Sequence, residues 1–222
     1  MGSDPEPGRR TETFAALAAR IRDRPPRLGG GRQGGGVRLV AVDGPSGSGK
    51  TWFAGRLAAA LAAPVVHTDD LLDGWDDQFT FWPRLERQVL EPMRRGETAT
   101  YRRYLWHRGA FGGVPVVIEP PATLIVEGVS AARAAIRPEL SMSVFVLAPP
   151  ALRLSRGLAR DDGGDPVAFA AYLERWRVAE DRHFAADDTA AYADLLVDGA
   201  AEAHDDRYLR LDRSPEAART GR

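Results

Sequence analysis

The chain has 222 residues, enough for one domain with a sizeable core, and its 30 Lys+Arg against 31 Asp+Glu leave a net charge of −1 and a pI near 6.4. Such a balance excludes a polycation built to neutralise phosphate backbones, so nucleic acid is not an expected partner. The absence of cysteine excludes a disulfide framework, a thiolate metal site and a cysteine nucleophile, and it predicts a reducing, cytoplasmic setting.

The first ten residues contain no apolar stretch of the signal-peptide kind. From Thr11 to Arg24, Phe14, Leu17, Ala18 and Ile21 fall at spacings of 3, 4 and 7, which predicts a short amphipathic helix ended by Pro25-Pro26. Six glycines between Gly29 and Gly36 predict a slack link. On that reading residues 1–36 are a helix and linker appended to a domain, residues 37–204 are the domain proper, and residues 205–222 form a charged C-terminal tail, frayed from Ser214 to Arg222.

From Val37 onward, short runs rich in β-branched residues alternate with helical patterns. Val37 to Val42, Pro64 to His67, Thr123 to Glu127, Ser143 to Ala148 and Asp194 to Asp198 read as strands. Trp52 to Ala62, Trp82 to Arg95 and Pro166 to Phe184 read as helices, the last with Phe169, Leu173 and Trp176 on one stripe. This alternation predicts an α/β fold, βαβ units around a parallel sheet covered on both faces. No run approaches the roughly 18 apolar residues of a membrane span, so no membrane association is expected.

Gly44-Pro45-Ser46-Gly47-Ser48-Gly49-Lys50-Thr51 satisfies G-x-x-x-x-G-K-[ST], directly after the first strand of the domain and before its first helix. Glycines at this spacing let successive backbone N–H groups converge on a phosphate, and the helix behind adds its positive end. An ammonium bridges the outer phosphates and a hydroxyl ligates Mg²⁺, so the pattern predicts nucleoside-triphosphate binding. Lys50 is the only lysine among the 30 basic residues, and asparagine does not occur. A compact ammonium is thus kept where a planar guanidinium would not fit between phosphates. The same counts exclude a protein-kinase fold, which needs a separate strand lysine and a catalytic-loop asparagine, and they exclude the Asn-Lys-x-Asp guanine-reading motif.

Four further stretches follow the phosphate loop: His67-Thr68-Asp69-Asp70 after the second strand, Leu124-Ile125-Val126-Glu127-Gly128, Arg153-Leu154-Ser155-Arg156 through Arg160-Asp161, and Tyr192 to Gly199. In this order they resemble the uridine kinase-like P-loop kinases, a group that includes nicotinamide riboside and pantothenate kinases. The resemblance runs from about Val37 to Ala200. It implies a P-loop NTPase three-layer sandwich with a five-stranded parallel sheet and a short helical lid at about 153–166. It also implies ATP and Mg²⁺ as cofactors and phosphoryl transfer to a hydroxyl of a small metabolite, with nucleosides among the acceptors.

The resemblance assigns nucleotide binding to Gly44, Pro45, Ser46, Gly47, Ser48, Gly49, Lys50, Thr51 and Arg160. Asp69 takes the place of the general base at the carboxyl edge of the second strand, where an acceptor for the hydroxyl proton is required. Without the resemblance, Asp69 and Asp70 read equally as helix caps, with Asp70 the cap or an outer Mg²⁺ contact and His67 structural. Lys50, Arg153 and Arg156 are the expected charge-stabilising catalytic residues, the arginines sharing one helical face with Arg160. Thr51 and Glu127 are the expected metal residues.

Two departures from the family stand out. The stretch Asp162 to Pro166 is shorter than the usual lid and lacks its further arginines, and Leu105 stands where a nucleoside kinase carries an acidic residue. Trp75, Phe79, Phe81 and Trp82 read either as acceptor-pocket lining or as core. Two alternatives remain at this stage: a nucleoside monophosphate (cytidylate-like) kinase, using Arg84, Arg87, Arg102, Arg103 and Arg108 on a phosphate acceptor, or a P-loop ATPase acting through a protein partner. Self-association, as a homo-oligomer, is left open.

Overall fold

A computed structural model describes residues 8–29, 35–159, 166–201 and 205–212. Its strands are β1 (Arg9–Thr13), β2 (Arg38–Asp43), β3 (Val65–His67), β4 (Ala99–Leu105), β5 (Ala110–Ile118), β6 (Thr123–Glu127), β7 (Leu140–Leu147), β8 (Leu195–Asp198) and β9 (Arg207–Leu211). Its helices are α1 (Phe14–Arg22), α2 (Lys50–Leu61), α3 (Trp82–Leu85), α4 (Glu91–Arg94), α5 (Pro150–Leu158), α6 (Pro166–Asp187) and α7 (Thr189–Tyr192).

The main sheet has the order β1-β9-β8-β7-β2-β6-β3. The five strands β8, β7, β2, β6 and β3 are mutually parallel, as the α/β pattern predicts. Their apolar runs serve both layers by simple alternation. In β2, Leu39 and Ala41 join one core cluster while Val40 and Val42 join the other, where Phe53, Ala54 and Leu57 of α2 cover them. The expected five-stranded sheet is therefore extended at its β8 edge into a seven-stranded one: β9 adds antiparallel to β8, and β1 antiparallel to β9.

This edge overturns two expectations. The N-terminal helix is not an appendage, because Phe14, Leu17, Ala18 and Ile21 are all at most 3% exposed and pack with Phe53, Leu57 and Tyr208. Thr13 caps it, its Oγ1 accepting from the Ala16 N–H at 3.1 Å. Leu28 and Val37, on either side of the glycine-rich stretch, exchange backbone hydrogen bonds of 3.1 and 2.8 Å, while residues 30–34, where the slack link is expected, lie outside the described residues. Closing such a loop costs little more than closing a shorter one. Likewise residues 207–211, expected within the C-terminal tail, form β9, while the stretch Ser214 to Arg222 expected to fray lies outside the described residues.

Trp82 to Arg94 is continuously helical, as expected, but widens to π geometry over Glu86–Leu90. Pro92 has no N–H to donate, which removes one rung of the regular ladder at that point. Residues 99–118 form the separate antiparallel hairpin β4–β5, in which Pro115 stands opposite Arg102. A proline is tolerated in such a two-stranded ribbon because its outer edge needs no donor. Among the described residues no helix is long and apolar enough to cross a membrane.

Candidate active site

The parallel strands deliver their C-terminal residues to one edge of the sheet: Asp43 from β2, His67 from β3 and Glu127 from β6. Asp43 is fully buried. Its Oδ1 accepts from the backbone N–H of Gly44 (2.7 Å) and Ser130 (2.9 Å), and its Oδ2 from Ala132 (2.8 Å). The carboxylate thereby ties the start of the phosphate loop to the loop after β6. Burial outweighs these bonds and the nearby Lys50 charge, pushing its pKa up to about 6.

The phosphate loop then closes over the start of α2. Gly49, the residue before α2, has φ +100°, and Gly47 has φ +75° with the Arg153 backbone against it, so close that an added Cβ would lie 2.9 Å from the Arg153 Cα. Both positions require glycine. The Lys50 side chain is nearly buried and donates from Nζ to the Pro45 carbonyl at 3.0 Å, back across the mouth of the loop. The buried Ser48 Oγ has no hydrogen-bond partner.

Thr51 Oγ1 donates to Glu127 Oε1 at 3.3 Å, and the other oxygen of Glu127 lies 2.6 Å from His67 Nδ1. That hydrogen bond raises the His67 pKa against the opposing effect of burial. His67 thus holds one oxygen of the Glu127 carboxylate. A hydroxyl and a carboxylate oxygen converging at one point are hard donors of the kind Mg²⁺ takes alongside phosphate and water, so Thr51 and Glu127 fit the metal. Among the described residues no group of three or more His, Cys, Asp or Glu is arranged to hold an ion by itself.

Asp69 and Asp70 lie on the single 3-10 turn Thr68–Leu71 that follows β3. The two diverge. Asp70 is half-buried and faces Arg103 Nε at 3.2 Å, with burial raising its pKa. Asp69 is exposed and lines a cavity of about 530 Å³ together with Ser46, Gly47, Arg153 and Glu180. The far wall is aromatic: Trp75, Trp106, Phe169 and Trp176. Trp75 lies within 4.8 to 5.9 Å, centroid to centroid, of Trp106, Trp176, Tyr172 and Phe169, and the Trp176 indole donates to the Trp75 carbonyl at 2.8 Å. Offset and edge-on contacts of this kind stiffen a wall while leaving faces open.

Of the four aromatics that composition left ambiguous, Trp75 alone lines this cavity; Phe81 and Trp82 are core, and Phe79 stacks on His183 at 4.9 Å. The arginines available for a phosphate acceptor do not line it. Arg84 pairs with Asp77 at 2.7 Å and Arg103 with Asp70, while the lining cations are Arg153 and Arg177, the latter held by Glu174 and Asp181. Leu105 does not line the cavity; its neighbour Trp106 does.

Arg153 and Arg156 both come to the phosphate loop from α5. Arg156 Nη1 donates to the carbonyls of Gly47 (3.1 Å) and Gly199 (2.9 Å) and faces a second cleft, of about 320 Å³, lined also by Gly49, Thr51, Trp52 and Asp198. Arg160 and the short stretch expected to complete the lid lie outside the described residues.

Sequence reasoning missed Glu180. It is 1% exposed, on α6, yet its Oε2 accepts the Ser46 backbone N–H at 3.0 Å and its Oε1 accepts the Ser46 hydroxyl and, at 3.3 Å, Gln78 Nε2. Arg153 Nη1 is 3.9 Å from the same carboxylate. Burial raises the Glu180 pKa, opposed chiefly by the Lys50 charge and the bonds from Ser46.

No protein-family model and no curated protein sequence matches the chain. Solved structures do. A candidate fructose transport system kinase from Silicibacter sp. TM1040 is 22% identical, matching 79% of this chain and 95% of its own with a TM-score of 0.59. A candidate uridine kinase from Bacillus stearothermophilus is 18% identical over 82% of this chain and 96% of its own, also at 0.59. D-glycerate 3-kinase from Cryptococcus neoformans var. grubii is 13% identical over 74% and 86%, at 0.50. The chain shares the fold of these three kinase structures.

Proposed function

We propose that this protein is an ATP-dependent kinase that moves the γ-phosphoryl group to a hydroxyl of a small, uncharged metabolite. The observation that carries the reading is that Asp69 opens into the same cavity as Ser46 and Gly47 of the phosphate loop and the Arg153 guanidinium. A proton acceptor, an anion cradle and a fixed cation then face one space large enough for a metabolite.

In the proposed reaction the phosphate-loop amides and Lys50 hold the triphosphate, and Arg156 with its cleft receives the remainder of the nucleotide. Thr51 and Glu127 would hold Mg²⁺, which supplies charge neutralisation between the outer phosphates when bound. Asp69 accepts the proton of the acceptor hydroxyl as that oxygen forms its bond to phosphorus, and the bond from phosphorus to the ADP oxygen breaks. Arg153 stabilises charge on the transferring group. The aromatic wall favours an acceptor with a planar or apolar part, nucleosides included, and the pairing of Arg177 with Glu174 and Asp181 leaves that guanidinium little charge to offer a nucleoside monophosphate.

ADP release measured against a panel of hydroxylated metabolites, nucleosides and nucleoside monophosphates tests this. Stimulation by an uncharged alcohol, lost in Asp69→Asn, is expected. Stimulation by monophosphates alone, or hydrolysis that no small molecule accelerates, would overturn it.

A further inference from the structure

The buried carboxylate of Glu180 has no task in the reaction as proposed, yet it sits on the phosphate loop itself. It holds the N–H and the hydroxyl of Ser46, and Arg153, the cation at the cavity floor, is 3.9 Å away. Backbone N–H groups of such a loop are anion receptors, and here one already has an anion. Ser46 and Gly47 form the end of the loop that faces Asp69, whereas Gly49 and Thr51 face the Arg156 cleft. A phosphoryl group on its way to an acceptor beside Asp69 must therefore occupy the Ser46 end.

Two cations, Lys50 and Arg153, act on this carboxylate. Arg153 is nearly buried and its Nε has no hydrogen-bond partner, and the Lys50 ammonium rests on a carbonyl. Glu180 compensates both cations, and Gln78 keeps it in place by donating to Oε1. A second anion cannot share this space with the carboxylate, because two like charges a few ångströms apart in a water-poor site repel strongly.

We propose that Glu180 is an internal anion of the phosphate loop, occupying the Ser46 end in the nucleotide-free protein and displaced by the third phosphate of a bound triphosphate, so that nucleotide binding shifts α6 and its acceptor-cavity residues Phe169, Leu173 and Trp176. A diphosphate, lacking the third group, leaves Glu180 on Ser46. The acceptor cavity is then set for use by the triphosphate and not by the diphosphate product. This inference rests on the proposed kinase function, and it adds a residue and a step that the phosphate-loop pattern does not contain.

The test compares binding of ADP and of a non-hydrolysable ATP analogue, by calorimetry, to the wild type and to Glu180→Gln. The neutral amide keeps the size and hydrogen-bonding capacity of the acid, so the variant is expected to bind the analogue about tenfold more tightly while ADP affinity stays within about twofold of wild type. Hydrogen–deuterium exchange on the wild type gives a readout independent of the variant's folding. Amides around 176–184 are expected to exchange faster with the analogue than with no nucleotide, and to be unchanged by ADP. An unaltered ratio of analogue to ADP affinity in Glu180→Gln, or equal exchange of α6 in the two nucleotide complexes, would remove the role of Glu180 and leave the kinase reading intact. Failure of both nucleotides to bind the wild type would remove the kinase reading and this inference with it.

Discussion

Arg153 and Arg156, three residues apart on α5, face different cavities at the phosphate loop: Arg153 lies in the cavity with Asp69, while Arg156 donates to the carbonyls of Gly47 and Gly199 and lines the second cleft. Residues three apart on a helix share a face, so one face here serves both cavities. In the proposed kinase the two substitutions to alanine should separate. Arg153→Ala should lower kcat by about 10² or more, because it removes charge stabilisation of the transferring group. Arg156→Ala should chiefly raise the KM for ATP, by about tenfold, since its contacts fix the nucleotide cleft. Steady-state kinetics with ATP varied at saturating acceptor decides it; equal losses in kcat from both variants would refute the division of labour.

Asp69 faces the cavity while its neighbour Asp70 turns to Arg103, so the paired acids offer an internal control. Asp69→Asn should cut phosphoryl transfer by about 10²–10⁴ while leaving nucleotide affinity unchanged, since the amide cannot take the hydroxyl proton. Asp70→Asn should cost less than tenfold in kcat. Comparable turnover losses in the two variants would withdraw the base from Asp69.

The phosphate loop, the five parallel strands and the helical stripe of Phe169, Leu173 and Trp176 were legible because each is written in a local pattern: a motif, an apolar run, a 3.6-residue period. What lay outside reach was long-range. Glu180 is one acid among several on a 22-residue helix, and nothing in its neighbours marks it as the one that meets Ser46, 134 positions earlier. The edge formed by β1 and β9 was misread for a related reason. A charged segment near the C-terminus looks like slack chain, and only the pairing of β9 with β1, Glu12 opposite Tyr208, shows that it is drawn onto the sheet.

That edge yields a stability prediction. Phe14 contacts Trp52, Phe53 and Tyr208 with ring centroids 5.1 to 5.8 Å apart and is 3% exposed. Phe14→Ala should destabilise the whole domain by about 3–4 kcal/mol, as truncation of a buried aromatic does. Denaturant unfolding should show one shifted transition. An unchanged midpoint would mean that α1 is indeed an appendage.

Glu12 belongs to the same edge, bonded to Arg20, Tyr208 and Arg210. Burial alone would raise its pKa, but these partners together hold it at about 2, below the ordinary 4.5. A depressed pKa stabilises the fold above the unfolded value, and the contribution is lost as pH falls from about 4.5 towards 2. Allowing for its partial exposure, Glu12→Gln should cost about 1–2 kcal/mol at pH 7 and only a small fraction of that at pH 2. Melting curves of the two proteins across that range should converge on acidification; a constant gap would contradict the ion-pair account.

Asp43 has the opposite sign. Its folded pKa is pushed up to about 6 from 3.8, so between those values the folded state holds a proton that the unfolded chain has released. Its contribution is therefore fully present below about pH 4, declines as pH rises through 6 and is constant above that. The span is about 3 kcal/mol for a shift of this size. Asp43→Asn removes the titration while weakening the tie from Gly44 to Ser130 and Ala132, so the variant should be less stable than wild type by more at pH 4.5 than at pH 7.5. A stability difference that does not change with pH, measured by urea unfolding of both proteins, would show that the ionised carboxylate bears its burial without penalty because its three backbone donors fully replace water.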